Sequence, residues 1–232
     1  MKICLINIAT NKYIDFIPQL WQSVNNNFLT EHEVESLLFT NNQMNPLTKN
    51  GKVAFVEHYP FPVPSLMRYH YILSESEYLS DFDYCFYIDV DMKVVSKIGD
   101  EILGDLVVVK HPGKWNKDNM EFPYERRKQS SAYIPYGEGN MYYQNAFNGG
   151  KTKNFLSYCQ STALMIDQDI AQNITAEIYD ESYMNKYMLK NPPTIELSPS
   201  YCYPQDFTYA SQVAEFEPKI IALDKNHEFM RS

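Results

Sequence analysis

The chain has 232 residues, of which 44% are hydrophobic and 21% are charged, and its net charge is −9. These values are ordinary for a globular protein with a sizeable core, so we expect a single domain over residues 1–232. The acidic balance argues against nucleic acid or an anionic membrane as partner, because phosphate groups are bound by Lys and Arg. The sequence shows no signal peptide and no apolar run long enough to span a membrane, so we expect a soluble, cytoplasmic protein.

In the first half of the chain, stretches with the spacing of strands alternate with stretches that have the spacing of helices. The pattern predicts strands at 2–9, 33–40 and 52–57, and helices at 13–28 and 65–80. Because proline suits the first turn of a helix, the regular part of the first helix should begin near Pro18.

The second half continues this alternation and adds a long loop and a polar tail. A buried strand leads to Asp89, another spans 105–111, and the polar segment 112–140 is long enough to be a functional loop. The remaining predicted elements are a strand at 141–147, a turn at Gly149-Gly150, helices at 151–170 and 181–189, and a mobile tail at 224–232. The alternation predicts the α/β class, with a single open, mainly parallel sheet flanked by helices.

Two carboxylates stand at the end of an apolar and aromatic strand, in the sequence Asp89-Val90-Asp91. A strand projects residues i and i+2 to the same side, so Asp89 and Asp91 form a pair of hard oxygen ligands. Such ligands suit Mg²⁺ or Mn²⁺, which commonly bind one or two carboxylates together with substrate phosphates. Ligands of open α/β sheets bind at the carboxyl ends of strands, where this pair falls. An Asp-rich turn after a strand is the alternative interpretation.

Several short motifs occur together in an order and at a spacing typical of one enzyme family. They are Asp89-Val90-Asp91, His111-Pro112-Gly113, Tyr124-Glu125-Arg126-Arg127, Ala132-Tyr133-Ile134-Pro135, Tyr142-Tyr143 with Gly149-Gly150, Asp180-Glu181-Ser182 with Asn185-Lys186-Tyr187, and Lys225-Asn226-His227 with Arg231. From Tyr13 to Arg231 the chain resembles glycosyltransferase family 6, the histo-blood-group A/B and α1,3-galactosyltransferase family. The resemblance implies the GT-A fold and the transfer of galactose or N-acetylgalactosamine from a UDP-sugar to an oligosaccharide acceptor. The family forms an α1,3 linkage with retention at the anomeric carbon.

By this resemblance, one group of residues binds the donor diphosphate and a divalent cation. Asp89 and Asp91 would hold Mn²⁺, with Mg²⁺ as the alternative, and such a cation stabilises the departing UDP without a proton. Lys225 and Arg231 would close over the diphosphate as a lid, whereas a C-terminus is ordinarily a solvated tail. Arg68 matches an arginine that supports the Asp-x-Asp segment, and a surface helix cation is its alternative interpretation.

A second group contacts the nucleoside and the transferred sugar. Glu181 resembles the family glutamate on the β face of the sugar, where it is either a nucleophile or an electrostatic support for an oxocarbenium-like centre. Asp180 matches a donor-sugar contact and is also a suitable helix N-cap. The other donor-binding positions are Ile8, Ala9, Thr10 and Tyr13 in the uridine pocket, Val90 in the Asp-x-Asp segment, and Gln144, Asn145 and Ala146 in the donor-selecting segment. The methyl of Ala146 slightly favours UDP-galactose over UDP-N-acetylgalactosamine.

The acceptor side resembles the family less closely. His111 matches a residue that touches the acceptor sugar. Pro123, Ile178 and Pro204 stand where the vertebrate enzymes have a hydroxyl, a tryptophan and an aspartate, and Tyr179 replaces a histidine. The acceptor is therefore not predicted beyond the family default of β-galactosides. The missing N-terminal membrane anchor points to a microbial or viral enzyme rather than a Golgi enzyme.

Two other classes of protein are compatible with parts of the sequence. A glycan-binding module of the same fold without catalysis would not need the carboxylates Asp89, Asp91 and Glu181. An Asp-x-Asp phosphatase of the haloacid dehalogenase type carries its pair after the first strand and has Thr or Val where this chain has Lys93. Only the transferase is expected to gain thermal stability from UDP with Mn²⁺.

Overall fold

The computed structural model describes residues 1–205, 210–226 and 229–230. A mostly parallel sheet of seven strands is flanked by helices, and three short strands form a second sheet. The strands are β1 Lys2–Ile8, β2 Glu33–Thr40, β3 Lys52–Phe55, β4 Tyr84–Ile88, β5 Met92–Val94, β6 Val107–Lys110, β7 Tyr143–Lys151, β8 Ile195–Leu197, β9 Tyr203–Pro204 and β10 Ile220–Ala222. The helices are α1 Ile17–Asn27, α2 Val63–Ser74, α3 Ser76–Leu79, α4 Thr152–Ile170 and α5 Tyr179–Lys190.

The large sheet has the strand order β3-β2-β1-β4-β7-β6-β8. β7 is antiparallel to both of its neighbours, and the other pairs are parallel. The central strand β1 is almost continuously apolar because it is covered on both faces, and its residues from Ile3 to Ile6 are fully buried. The predicted α/β class with a mainly parallel sheet is confirmed.

The helices cover both faces of this sheet. Leu20 and Val24 of α1 pack into the core on one face, and Tyr69, Tyr158 and Tyr183 of α2, α4 and α5 pack into the core on the other. In the part of the chain that the structure describes, no helix combines the length and the apolar character needed to cross a membrane.

The long segment 112–140 is fixed to the helices by two buried acids. Asp169, fully buried in α4, accepts hydrogen bonds from the Ser130 hydroxyl (2.5 Å) and the Ser131 N–H (2.6 Å). Glu125 accepts from the N–H of Glu177, which lies just before α5 (2.8 Å). The loop therefore holds the segment that leads into α5.

The predicted turn at Gly149-Gly150 is wrong, because β7 continues through both glycines to Lys151. A Cβ atom at Gly149 would clash with the ring of Phe86 and the carbonyl oxygen of Cys85 on the neighbouring strand β4. Gly150 has a φ of 145°, which L side chains rarely adopt. Close approach of neighbouring backbone, rather than a turn, requires glycine at these positions.

Most other predicted elements are confirmed with shifted ends. The predicted helix at 13–28 opens with a 3₁₀ stretch, Asn11–Phe16, and α1 carries Pro18 in its first turn, as predicted. The predicted helix at 65–80 begins at Val63 and is interrupted at Glu75, which separates α2 from α3. The strands β5, β8, β9 and β10 were not predicted, since each has at most three residues and shows no alternating pattern.

Candidate active site

A cleft lies at the carboxyl ends of β1 and β4. The space within it, including the part that is open to solvent, is about 910 Å³. The predicted donor-binding residues that line it are Ile8, Thr10, Tyr13, Arg68, Asp89, Val90, Asp91 and Lys225. The structure thus brings these residues together at the edge of the sheet where the sequence predicts a ligand, and their role in binding stays a prediction.

The acidic residues of the Asp-x-Asp segment directly follow β4. The N–H of Asp89 donates to the carbonyl of Ala146 in β7 at 2.8 Å. The carboxylate of Asp89 accepts through Oδ1 from the Tyr87 hydroxyl at 2.6 Å. The carboxylate of Asp91 forms an ion pair through Oδ2 with the Lys225 ammonium. The segment is thus tied both to β7 and to the C-terminal residues.

Arg68 in α2 connects the Asp-x-Asp segment to α5. Its side chain is only 9% exposed, so the interpretation as a surface cation is wrong. Nη2 donates to Oδ1 of Asp89 at 3.2 Å, and Nε lies 3.3 Å from Oδ2 of Asp180. The guanidinium carbon lies 4.1 Å from the centre of the Tyr87 ring. Burial raises the pKa of Asp89 and the pKa of Asp180, and the charge of Arg68 opposes both shifts.

A β-bulge in β7 places Asn145 at the centre of the site. The pairing with β6 skips residues 145–147, which bulge out of the ladder. The N–H of Asn145 donates to Oε2 of Glu181 at 3.0 Å, and its carbonyl accepts from Nη1 of Arg68 at 2.5 Å. Its side-chain amide donates to Oδ2 of Asp180 at 2.6 Å. One residue therefore joins Arg68, Asp180 and Glu181.

Glu181 lies in the first turn of α5 with its carboxylate directed toward β7. Oε1 accepts from the hydroxyl of the fully buried Tyr142 at 2.8 Å, and Oε2 accepts from Asn145. Burial raises the pKa of Glu181 to about 7, although both hydrogen bonds lower it. A carboxyl group that changes charge near neutral pH is typical of residues that take part in chemistry.

His111 follows β6 and packs against Tyr142, with 5.6 Å between the ring centres. The N–H of Gly113 donates to its Nδ1 at 3.0 Å. Burial and the nearby charge of Lys114 lower the pKa of His111 to about 4, so the ring is neutral at neutral pH. Because Tyr142 also donates to Glu181, the predicted acceptor residue and the predicted catalytic residue contact the same tyrosine.

The Asp-x-Asp segment offers oxygen ligands that suit a hard divalent cation. The hydrogen bonds from Arg68 and Tyr87 to Asp89 both use Oδ1, and the contact of Asp91 with Lys225 uses Oδ2. Within the described ranges, no group of three or more His, Cys, Asp and Glu side chains is arranged to hold a metal ion. The residues therefore fit a cation shared with a phosphate ligand rather than one held by a complete protein cage. The ammonium of Lys225 already places one positive charge beside Asp91.

A few predicted site residues lie elsewhere or have a different local role. Ala9 is fully buried in the core behind the cleft. Asp180 is not the N-cap of α5, which is Ile178, and its carboxylate instead faces Arg68. Gln144 and Ala146 flank Asn145 in β7, outside the cleft lining. Arg231 lies outside the described residues, and the mobility of the tail stays a prediction.

The structure also shows residues that the sequence analysis missed. Tyr87 donates a hydrogen bond to Asp89, and Tyr142 donates one to Glu181. The motif Tyr142-Tyr143 could have indicated Tyr142 as a site residue. His58 lines the cleft, with Nδ1 lying 3.0 Å from Oγ1 of Thr10. The thiol of Cys202 donates to the side chain of Gln144. No motif or periodicity singles out His58 or Cys202.

Comparison with known sequences defines the class of this protein. Residues 1–232 match the profile of Glycosyltransferase family 6, and the chain therefore belongs to that family. The mostly parallel sheet flanked by helices is consistent with a GT-A-like glycosyltransferase fold. Membership implies a nucleotide-sugar donor and a glycan acceptor. The family assignment made from the short motifs is confirmed.

Similar proteins occur in bacteria and vertebrates. The chain is 32% identical to the O-antigen biosynthesis glycosyltransferase WbnI of Escherichia coli, over 98% of this chain and 97% of WbnI. It is 32% identical to histo-blood group ABO system transferase 2 of Rattus norvegicus, over 99% of this chain and 71% of that protein. It is 31% identical to globoside alpha-1,3-N-acetylgalactosaminyltransferase 1 of Gallus gallus, over 100% of this chain and 70% of that protein.

Proposed function

We propose that this protein transfers galactose or N-acetylgalactosamine from a UDP-sugar to a glycan acceptor, forming an α1,3 linkage with retention. The observation that carries the proposal is the connection of two acidic centres, Asp89 and Glu181, through Arg68 and Asn145. Breaking a sugar–diphosphate bond creates negative charge on the phosphate and positive charge on the sugar carbon. A carboxylate pair that suits a cation and a separate, partly buried carboxylate match these two needs. The α1,3 linkage is supported by the name of the chicken relative.

The diphosphate and the nucleoside are expected to lie along the cleft. Asp89 and Asp91 would hold Mn²⁺ or Mg²⁺, which when bound neutralises the charge that develops on the departing UDP. Lys225 adds a second positive charge, and its ammonium lies 5.3 Å from the centre of the Tyr13 ring. Thr10 and Tyr13, after the end of β1, provide a hydroxyl and an aromatic face for the nucleoside.

Glu181 is expected to act on the transferred sugar. As a carboxylate it either attacks the anomeric carbon or stabilises the positive charge there, and both roles require the ionised form. The hydrogen bonds from Tyr142 and Asn145 orient both oxygens and favour that form. His111 packs against the same Tyr142, and its neutral ring is suited to contact an acceptor hydroxyl. The methyl of Ala146 supports galactose slightly over N-acetylgalactosamine as the sugar.

The proposal is tested by measuring UDP release from UDP-galactose and from UDP-N-acetylgalactosamine, with Mn²⁺ and with EDTA. Lactose and fucosylated lactose serve as trial acceptors. We expect metal-dependent release from one donor, accelerated by an acceptor. Asp89→Asn should lose most of this activity, whereas Asp105→Asn should keep it, because Asp105 pairs with Lys151 and is half exposed.

Two results would contradict parts of this proposal. Undiminished activity of Asp89→Asn in the presence of EDTA would contradict the role of the cation. No UDP release from either donor under any condition would contradict the assignment of the enzyme and favour a glycan-binding module.

A further inference from the structure

The side chains of Gln144 and Cys202 make a polar contact near both acidic centres. Sγ of Cys202 donates to Oε1 of Gln144, with 2.9 Å between the two atoms. Cys202 ends a short 3₁₀ helix after β8 and is only 1% exposed. Burial raises the pKa of this thiol, and the charges of Asp89, Asp91 and Glu181 raise it further. The thiol is therefore close enough to the Asp-x-Asp segment and to Glu181 for their charges to act on it.

Gln144 belongs to the segment of β7 that connects the Asp-x-Asp segment to Glu181. Its neighbour Asn145 directs its side chain toward Asp180, on the face covered by α2 and α5. Successive strand side chains point to opposite faces, and Gln144 accordingly meets Cys202 on the other face. Ala146 packs in the same core as Cys202, and its carbonyl accepts from the N–H of Asp89. This face of β7 thus borders the Asp-x-Asp segment.

The contact with the thiol determines which end of the Gln144 amide is available. The hydrogen bond from Cys202 engages Oε1, and none of the described residues accepts a hydrogen bond from Nε2 of Gln144. The side chain is only partly buried. A glutamine amide can present either its oxygen or its nitrogen to a ligand, and a donor placed against the oxygen directs the N–H groups outward.

We propose that Cys202 is a positioning residue for the donor sugar, holding the amide of Gln144 so that Nε2 donates a hydrogen bond to an oxygen atom of that sugar. The inference rests on the proposed function and adds a residue that selects the sugar. Sugar hydroxyls and an acetamido carbonyl both accept hydrogen bonds, and a site built to make such a bond discriminates against donors that lack it.

The test compares affinity for the complete donor with affinity for UDP, which lacks the sugar. Cys202→Ala should raise the KM for the preferred UDP-sugar by about 3- to 10-fold, the range of one hydrogen bond. The Kd of UDP, measured by calorimetry, should not change. Cys202→Ser keeps a hydroxyl donor and should restore the KM. Gln144→Leu should match Cys202→Ala, and the double variant should be no worse than either single variant.

A matched control separates this role from the general effect of losing a buried thiol. Cys159 is a free, fully buried cysteine in α4, and Cys159→Ala should leave the KM unchanged. Parallel changes in the KM of the UDP-sugar and the Kd of UDP would overturn the inference, as would a Cys202→Ser variant that behaves like Cys202→Ala. If the wild type turns over normally and Cys202→Ala does not change the KM for the UDP-sugar, the inference is overturned and the proposed function stands. A wild-type protein that releases no UDP from either donor would contradict the proposed function as well.

Discussion

Replacing Arg68 with methionine removes the positive charge that two carboxylates share. The guanidinium lies 3.2 Å from Asp89 and 3.3 Å from Asp180. The side chains of Arg68 and Asp180 are each 9% exposed, and that of Asp89 is 31% exposed. After the substitution Asp180 would keep a buried charge without its partner, whereas water would solvate part of the charge on Asp89.

Removing one partner of a buried ion pair costs about 3–5 kcal/mol, because the other charge is left uncompensated. The hydrogen bond to the carbonyl of Asn145 is lost as well, which adds roughly 1 kcal/mol. The partial exposure of Asp89 reduces its share. We therefore expect Arg68→Met to lower the free energy of unfolding by about 3–5 kcal/mol. For a chain of this length, that corresponds to a fall in Tm of roughly 6–20 °C.

The measurement is urea denaturation at neutral pH together with thermal unfolding. Asp180→Asn in the same chain should recover part of the loss, because it removes the unpaired charge. The difference between the wild type and Arg68→Met should shrink as the pH falls, since protonation of Asp180 has the same effect. Lys190→Met, at an exposed cation in the last turn of α5, is the control and should change stability by less than about 0.5 kcal/mol. A loss below about 1 kcal/mol for Arg68→Met, or no recovery in the double variant, would refute this reasoning.

Further predictions concern Glu181 and the ion pair of Asp91. Glu181→Gln should slow transfer on the order of 10²-fold and leave UDP binding near normal; loss of UDP binding would make Glu181 a structural residue. Burial raises the pKa of Glu181 to about 7, so the folded state resists ionisation of this group and the wild type should lose stability relative to Glu181→Gln as pH rises from about 5 to 8. Urea titrations that show the opposite trend would contradict this. Tyr142→Phe removes a hydrogen bond that lowers that pKa, so the apparent pKa of transfer should move upward, and an unchanged pH profile would contradict the role of Tyr142. Lys225→Met should bind Mn²⁺ more tightly than the wild type in the absence of UDP, because Asp91 is released from its ion pair with Lys225. The same variant should bind UDP more weakly. Calorimetry on both ligands, with Lys225→Arg as control, checks both results.

The sequence predicted the parts of the fold and the site that depend on local patterns. β2 was located at its observed bounds, and Asp89 and Asp91 were placed correctly because they directly follow a recognisable strand. The glycine pair in β7 was misread as a turn because crowding by neighbouring strands cannot be seen from residue types alone. The very short strands give no periodic signal.

The contacts that join the two acidic centres depend on tertiary structure. The bulge that frees the backbone of Asn145 from the ladder with β6 arises from the pairing of the two strands, and no residue type in the segment predicts it. The contact between Gln144 and Cys202 joins residues 58 positions apart. Arg68 was selected only through the resemblance to the family, since a helix arginine is ordinarily exposed.

The most direct test of the site as a whole is the structure of the transferred product. The wild-type protein would be incubated with Mn²⁺, lactose and each UDP-sugar in turn, and the product linkage would be determined by NMR. We expect an α-linked sugar on a 3-hydroxyl group of the acceptor, formed by the wild type and by Asp105→Asn, and strongly reduced in Asp89→Asn and Glu181→Gln. A β-linked product, or an α-linked product formed equally well by Glu181→Gln, would contradict the assignment of the two connected acidic centres as the active site.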